Sequence, residues 1–173
     1  RRLPPAVDLM RSAALYEGAL REIVHALKYD GRRSLARPLA ALMRTCGPDL
    51  LEGADAVIPV PLDGRRLRQR GFNQARLLAE GLGLPVLDAL ARTRRTPPQT
   101  SLPAARRHAN VRGAFAVRRP VAGLVVVLVD DVATTGATLF ACARALREAG
   151  AREIRALTAA RAAAPPGSRS PRR

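Results

Sequence analysis

The stretch LVVVLVDDVATTGATL, residues 124–139, limits what this chain can become more than any other. Residues 124–129 are apolar without polar alternation and rich in β-branched side chains, which suits a strand buried on both faces of a parallel sheet. Asp130 and Asp131 follow at once, where such a strand is expected to leave the sheet. Thr134, Thr135, Gly136, Ala137 and Thr138 then make a small, hydroxyl-rich turn. A helix is expected from Thr138, with Leu139, Cys142, Leu146 and Ala149 along one face and Gly150 at its stop. In open α/β sheets ligands gather at the carboxyl ends of strands, and a helix N-terminus offers unpaired N–H groups and a positive dipole end to an anion. The threonines add hydroxyl donors, while Gly136 permits close backbone approach or positive φ.

Carboxylates beside an anion site repel the ligand unless something stands between them. A sugar removes the conflict, because its hydroxyls donate to Asp130 and Asp131. A magnesium diphosphate on the same sugar would bring positive charge close by. The constellation resembles the phosphoribosyl-pyrophosphate (PRPP) motif of type I phosphoribosyltransferases. That resemblance implies that Ala133, Thr134, Thr135, Gly136, Ala137 and Thr138 hold the ribose 5-phosphate. It also implies that Asp130 and Asp131 hold the ribose 2- and 3-hydroxyls and act catalytically, with magnesium carried by the substrate near them rather than bound directly. Response-regulator receivers also place acids after a strand, but a receiver would want a downstream lysine. Lys28 is the only lysine in the chain.

At 173 residues the chain suits one domain with a sizeable core. Aromatic residues make up 3% and tryptophan is absent, so the core must come from Ala, Leu and Val in a helix-rich α/β protein. No apolar stretch approaches the ~18–20 residues that cross a bilayer, and no signal-like segment opens the sequence, so a soluble, cytoplasmic protein is expected. Cys46 and Cys142 stand alone, without metal-ligand spacing. The formal charge of +16 favours polyanionic partners, single-stranded DNA among them. Compositional drift toward arginine, or an enzyme with an anionic substrate, also accounts for it, and the lack of aromatics interleaved with the arginines in sequence weighs against a nucleic-acid surface.

In chain order, residues 1–15 read as an N-terminal arm. Leu20, Ile23, Val24 and Leu27 mark one helix and Leu35, Leu39, Leu42 and Met43 a second, with Pro38 tolerable in its first turn. Residues 55–61 read as a short strand entering a basic loop, 62–74. In that loop Arg66, Arg68 and Arg70, with Pro61 and Leu62, are either the diphosphate-facing side of a site or a solvated turn. Asn73 is a plausible N-cap for the next helix. Residues 84–90 suggest a third strand. The polar stretch 92–112, with six arginines and three prolines, suits a lid, since an oxocarbenium-like state must be kept from water. Phe115 and Val117 begin a short strand, 153–158 a last one, and 161–173 reads as a disordered basic tail.

Several segments together resemble the ComF family, bacterial competence-associated proteins with a phosphoribosyltransferase-like domain. They are Leu27-Lys28-Tyr29 with Gly31-Arg32, Val60-Pro61-Leu62, Arg70-Gly71-Phe72-Asn73-Gln74-Ala75, then Gln99, Leu102, Arg107, Asn110 and Gly113-Ala114-Phe115, and finally the central motif. The resemblance implies a type I phosphoribosyltransferase-like α/β fold over 16–160, a central mostly parallel sheet flanked by helices. A helical hood at 16–46 and a lid carrying Arg94, Arg95, Gln99, Arg107 and Asn110 complete it. Family members often begin with a four-cysteine zinc module; this sequence starts after it, so zinc is not expected. Arg106 stands where an acidic residue is common. Two functions follow: transfer of phosphoribosyl from PRPP to a nitrogen acceptor during DNA uptake, or a non-catalytic factor that handles single-stranded DNA with the competence machinery. The sequence is compatible with an oligomer and does not define one.

Overall fold

The computed structural model describes residues 6–93 and 113–163. Its centre is a parallel sheet of four strands in the order β1 (Leu9–Leu15), β6 (Glu153–Arg161), β5 (Val125–Ala133) and β2 (Ala56–Pro59). A separate antiparallel pair joins β3 (Leu90–Arg92) to β4 (Phe115–Val117). Six α-helices are described: α1 (Gly18–Tyr29), α2 (Ala36–Cys46), α3 (Pro48–Leu51), α4 (Gly64–Arg70), α5 (Gln74–Glu80) and α6 (Ala137–Glu148).

The period-2 alternation of a strand sorts β5 into two cores. Val127 and Val129 pack with Val24 and Leu27 of α1, Leu39 and Met43 of α2 and Leu78 of α5. Val126 and Leu128 face the other way, toward Leu139, Cys142 and Leu146 of α6 and Phe115 of β4. Both faces are therefore apolar, which is why the strand reads as an unbroken hydrophobic run. The helices at 16–46 share one core with the sheet. Pro38 lies in the first turn of α2, where its missing N–H costs nothing. Asn73 caps α5, accepting from Ala75 N at 3.0 Å and donating to Val60 O at 3.0 Å.

Several sequence expectations are corrected. Residues 9–15 are not a free arm but edge strand β1, paired in parallel with β6. Its mixed composition, LMRSAAL, hides it, because an edge strand needs no continuous apolar run. The loop expected at 62–74 contains a helix, α4, whose N-cap Asp63 accepts from Arg65 N and Arg66 N and which ends on Gly71 at φ 73°. At 84–90 there is only a bridge between Val57 and Val86, and the strand begins at Leu90. β5 does not stop at Val129. It continues through both aspartates to Ala133, paired with β6 to Arg161, so β6 also outlasts its expected end and takes in the first residue assigned to the tail. Helix α6 begins at Ala137, one residue before Thr138.

Helices α2 and α5 meet where a side chain on Gly81 would not fit. A Cβ there would lie 2.5 Å from the Ala40 Cβ. Gly81→Ala is expected to cost about 1–3 kcal/mol through overpacking, read as a lower urea midpoint. Adding Ala40→Gly should recover much of that loss.

Candidate ribose-phosphate site

β2 and β5 run side by side, with Pro59 opposite Val129 and Val60 N donating to Val129 O at 2.9 Å. Their carboxyl ends therefore emerge together, placing Pro61 and Leu62 beside the acidic pair. Asp130 and Asp131 occupy successive positions of one strand, so they turn to opposite faces. Asp131 follows Val129 toward α1, where Lys28 Nζ lies 2.8 Å from its Oδ1. Asp131 is 4% exposed as a residue, and its second oxygen, Oδ2, is buried and has no hydrogen-bond partner among the described residues. A buried acceptor without a donor is costly and calls for an explanation such as a ligand.

Asp130 follows Leu128 toward α6 and β3. Its Oδ1 accepts from Asp131 N at 2.9 Å. Burial, and then repulsion from Asp131, push its carboxyl up to about 7, only partly opposed by Lys28, that backbone bond and Arg92. Burial alone would lower the Lys28 ammonium, but attraction and hydrogen bonding to Asp131, with Asp130 behind, raise it overall. Burial likewise raises the Cys142 thiol on α6, with Asp130 adding to it, and leaves a small inert core residue. Because native Asp130 binds its proton more tightly than the unfolded chain does, its contribution favours folding at low pH. That contribution is expected to fade as pH rises from about 4 through about 7. Chemical denaturation across this range should show wild type losing stability relative to Asp130→Asn.

The turn after β5 is built for close approach. Gly136 adopts φ 79°, a conformation that L side chains avoid, and stands at the N-cap of α6. Thr135 Oγ1 accepts from Ala137 N at 3.3 Å, and Gly136 O receives Phe140 N as the first helical bond. Ala133 ends β5 and is buried, Ala137 is buried at the start of α6, and Thr134 is exposed while Thr135 and Thr138 are half-buried. The six expected phosphate-turn residues thus form one continuous bend between the acidic pair and a helix N-terminus.

The arginines expected on the diphosphate side divide. Arg66 pairs with Asp63 at 3.4 Å, and Arg68 is exposed on α4. Arg70 donates to Gln74 Oε1 at 2.9 Å and lies over the Tyr29 ring at 4.9 Å. Arg33 lies over Phe72 at 4.7 Å. The segments around Lys28 and around Gly71 are thus locked together by two cation–π contacts. Aromatics absent from the arginine runs in sequence are supplied to them in space. Arg94, Arg95, Gln99, Arg107 and Asn110 lie outside the described residues. Arg92, missed in the sequence as a site residue, sits over Phe115 at 5.4 Å, and burial lowers its guanidinium. Lys28 was also missed as a partner of the acidic pair; its signals were being the sole lysine and lying in the family-like segment Leu27-Lys28-Tyr29.

Among the described residues no three His, Cys, Asp or Glu side chains gather into a metal-binding group. The two acids, Asp130 and Asp131, fit a magnesium ion carried by the substrate, which they would favour by their negative charge while its oxygen ligands come from the substrate and water. Among the same residues no helix is long and apolar enough to cross a membrane.

A parallel sheet with an acidic pair and a glycine-bearing turn at the end of its third strand defines a type I phosphoribosyltransferase fold, and residues 67–171 match the phosphoribosyl transferase domain family. Within that class the chain belongs to the ComF family. It is 36% identical over 87% of its length to "DNA utilization protein YhgH" of Shigella flexneri, covering 71% of that protein. It is 33% identical over 91% of its length to "Competence protein F" of Haemophilus influenzae, covering 75% of it. A solved structure titled as the allosteric regulatory enzyme of purine biosynthesis superposes with a TM-score of 0.50 at 26% identity, over 79% of this chain and 30% of that one.

Proposed function

We propose that this protein binds PRPP with magnesium and transfers its phosphoribosyl group to a nitrogen acceptor, releasing diphosphate, in the service of DNA uptake. The observation that carries this reading is the buried, unpaired Oδ2 of Asp131, on the strand that leads into the Gly136 turn. In it, the turn residues bind the 5-phosphate through N–H groups and hydroxyls. Asp131 accepts a sugar hydroxyl, and Asp130 lies where positive charge develops on the sugar. The acceptor's lone pair forms the bond to the anomeric carbon as the bond to diphosphate breaks, and the nitrogen then sheds a proton. Magnesium supplies neutralising charge on the departing diphosphate. Arg66 and Arg68 on α4, with Pro61 and Leu62 at the end of β2, lie on the side where that group leaves. Lys28 is no nucleophile, because its charged partner keeps it protonated. The work is positioning and charge stabilisation.

Ligand at about 100 times its dissociation constant adds about 2.7 kcal/mol to stability. Magnesium PRPP should therefore raise the melting temperature by roughly 5–10 °C. No shift, with no heat of binding by calorimetry, overturns the reading. Screening nucleobases and amines for diphosphate release then identifies the acceptor.

A second reading, a single-stranded DNA-handling factor with or without catalysis, is favoured by the charge of +16 and by relatives named for DNA utilization and competence. Single-stranded DNA binding with a steep salt slope that persists in Asp131→Asn would show the basic surface acting apart from the sugar site.

A further inference from the structure

Of thirty basic residues in this chain, twenty-nine are arginine and one is lysine. Among the described residues seven of eight ion pairs use arginine, and the exception is Lys28 with Asp131. Both of its side chains are largely buried, at 15% and 6% exposure. Where positive charge alone is wanted, this chain uses arginine. At position 28 something beyond charge is required.

The two cations treat a carboxylate differently. A guanidinium is a planar fork that takes both oxygens at once, whereas an ammonium is a point charge that can take one. Lys28 takes Oδ1 and leaves Oδ2 buried and unpaired among the described residues. We propose that Lys28 is the positioning residue of the sugar site, holding Asp131 by one oxygen so that the other stands fixed as the acceptor for a sugar hydroxyl. This rests on the ribose-phosphate reading of the site and adds a reason for lysine there. An arginine would keep the charge and close the acceptor. The ammonium arrives from the last turn of α1, so the helix that follows β1 sets hydroxyl recognition at the end of β5.

The test compares two probes by calorimetry: ribose 5-phosphate, and tetrahydrofurfuryl phosphate, which keeps the ring and phosphate but has no hydroxyls. Wild type is expected to bind the first at least about tenfold tighter, the worth of a hydrogen bond to a charged group. Lys28→Arg should melt near wild type yet bind the two probes within about twofold of each other. A merely structural counter-ion would instead be rescued by arginine, so wild-type discrimination in Lys28→Arg overturns the proposal. Failure of wild type to bind either probe overturns the ribose-phosphate reading itself. Equal binding of both leaves the phosphate turn standing and removes the role of Asp131 and Lys28. A measurement on wild type covers a Lys28→Arg that does not fold. In protein labelled with ¹⁵N-lysine, the single ammonium resonance should stay in its protected, paired position when ribose 5-phosphate is added. Its return to the solvent-exposed position would show that the pair opens on binding, and overturns the proposal.

Discussion

Lys28→Met is expected to destabilise the protein by about 3–5 kcal/mol, because it strands a buried carboxylate that has lost its charge partner. Both groups are mostly out of water, so the usual discount for exposed ion pairs does not apply. For a chain of this size the loss corresponds to a fall of roughly 6–20 °C in melting temperature. Replacing both partners, Lys28→Met with Asp131→Leu, should recover most of it, since two apolar side chains fill similar space without stranded charge. A double variant as unstable as the single one would assign the cost to lost packing of the lysine stem instead. Alkaline titration gives an independent check. The folded pKa of Lys28 is raised, so its contribution is complete below the unfolded value of about 10.4 and disappears only as pH climbs through the higher folded value. The gap between wild type and Lys28→Met should therefore stay open through neutral pH and narrow only in strong alkali.

Asp131→Asn is expected to weaken magnesium PRPP by about 10–100-fold, the loss of a charge-assisted hydrogen bond worth about 1.5–3 kcal/mol. The amide matches the carboxylate in shape, but its oxygen will turn to Lys28. Its NH₂ then stands at the Oδ2 position, placing a donor where a sugar hydroxyl needs an acceptor. Asp130→Asn should cost less near neutral pH, because a carboxyl raised to about 7 is already partly protonated there. Calorimetric titration of both variants, at concentrations and temperatures where each is folded, separates the two acids. Equal losses, or the larger loss at Asp130, would reassign the hydroxyl acceptor.

The contrast between these acids was not legible in the sequence, where Asp130 and Asp131 are adjacent and chemically identical. Their difference comes from β5 running on past them, so that one faces a lysine and the other a thiol and a half-buried guanidinium. Strand extension was missed because hydrophobic patterning marks where a strand is buried, while ladder pairing with β6 sets where it ends. Residues 9–15 were missed for a related reason. An edge strand is half-wet and takes its structure from β6, with little signal of its own. Helix α4 went unread because its exposed arginines lack an apolar stripe, although its Asp63 cap and Gly71 stop were both present in the sequence.

By itself the sequence determined the local units: the apolar run whose residues 125–129 are the buried part of β5, the glycine-bearing turn, the apolar face of α6 with Cys142, and the Asn73 cap. Each is set by residues within a few positions of one another, through side-chain period, capping and permitted φ. Only the tertiary structure decided that Lys28 meets Asp131, that Tyr29 and Phe72 lie beneath Arg70 and Arg33, and that Oδ2 is left buried and unpaired. Those contacts join segments far apart in the chain, and they exist because the parallel sheet brings the end of α1 over the end of β5.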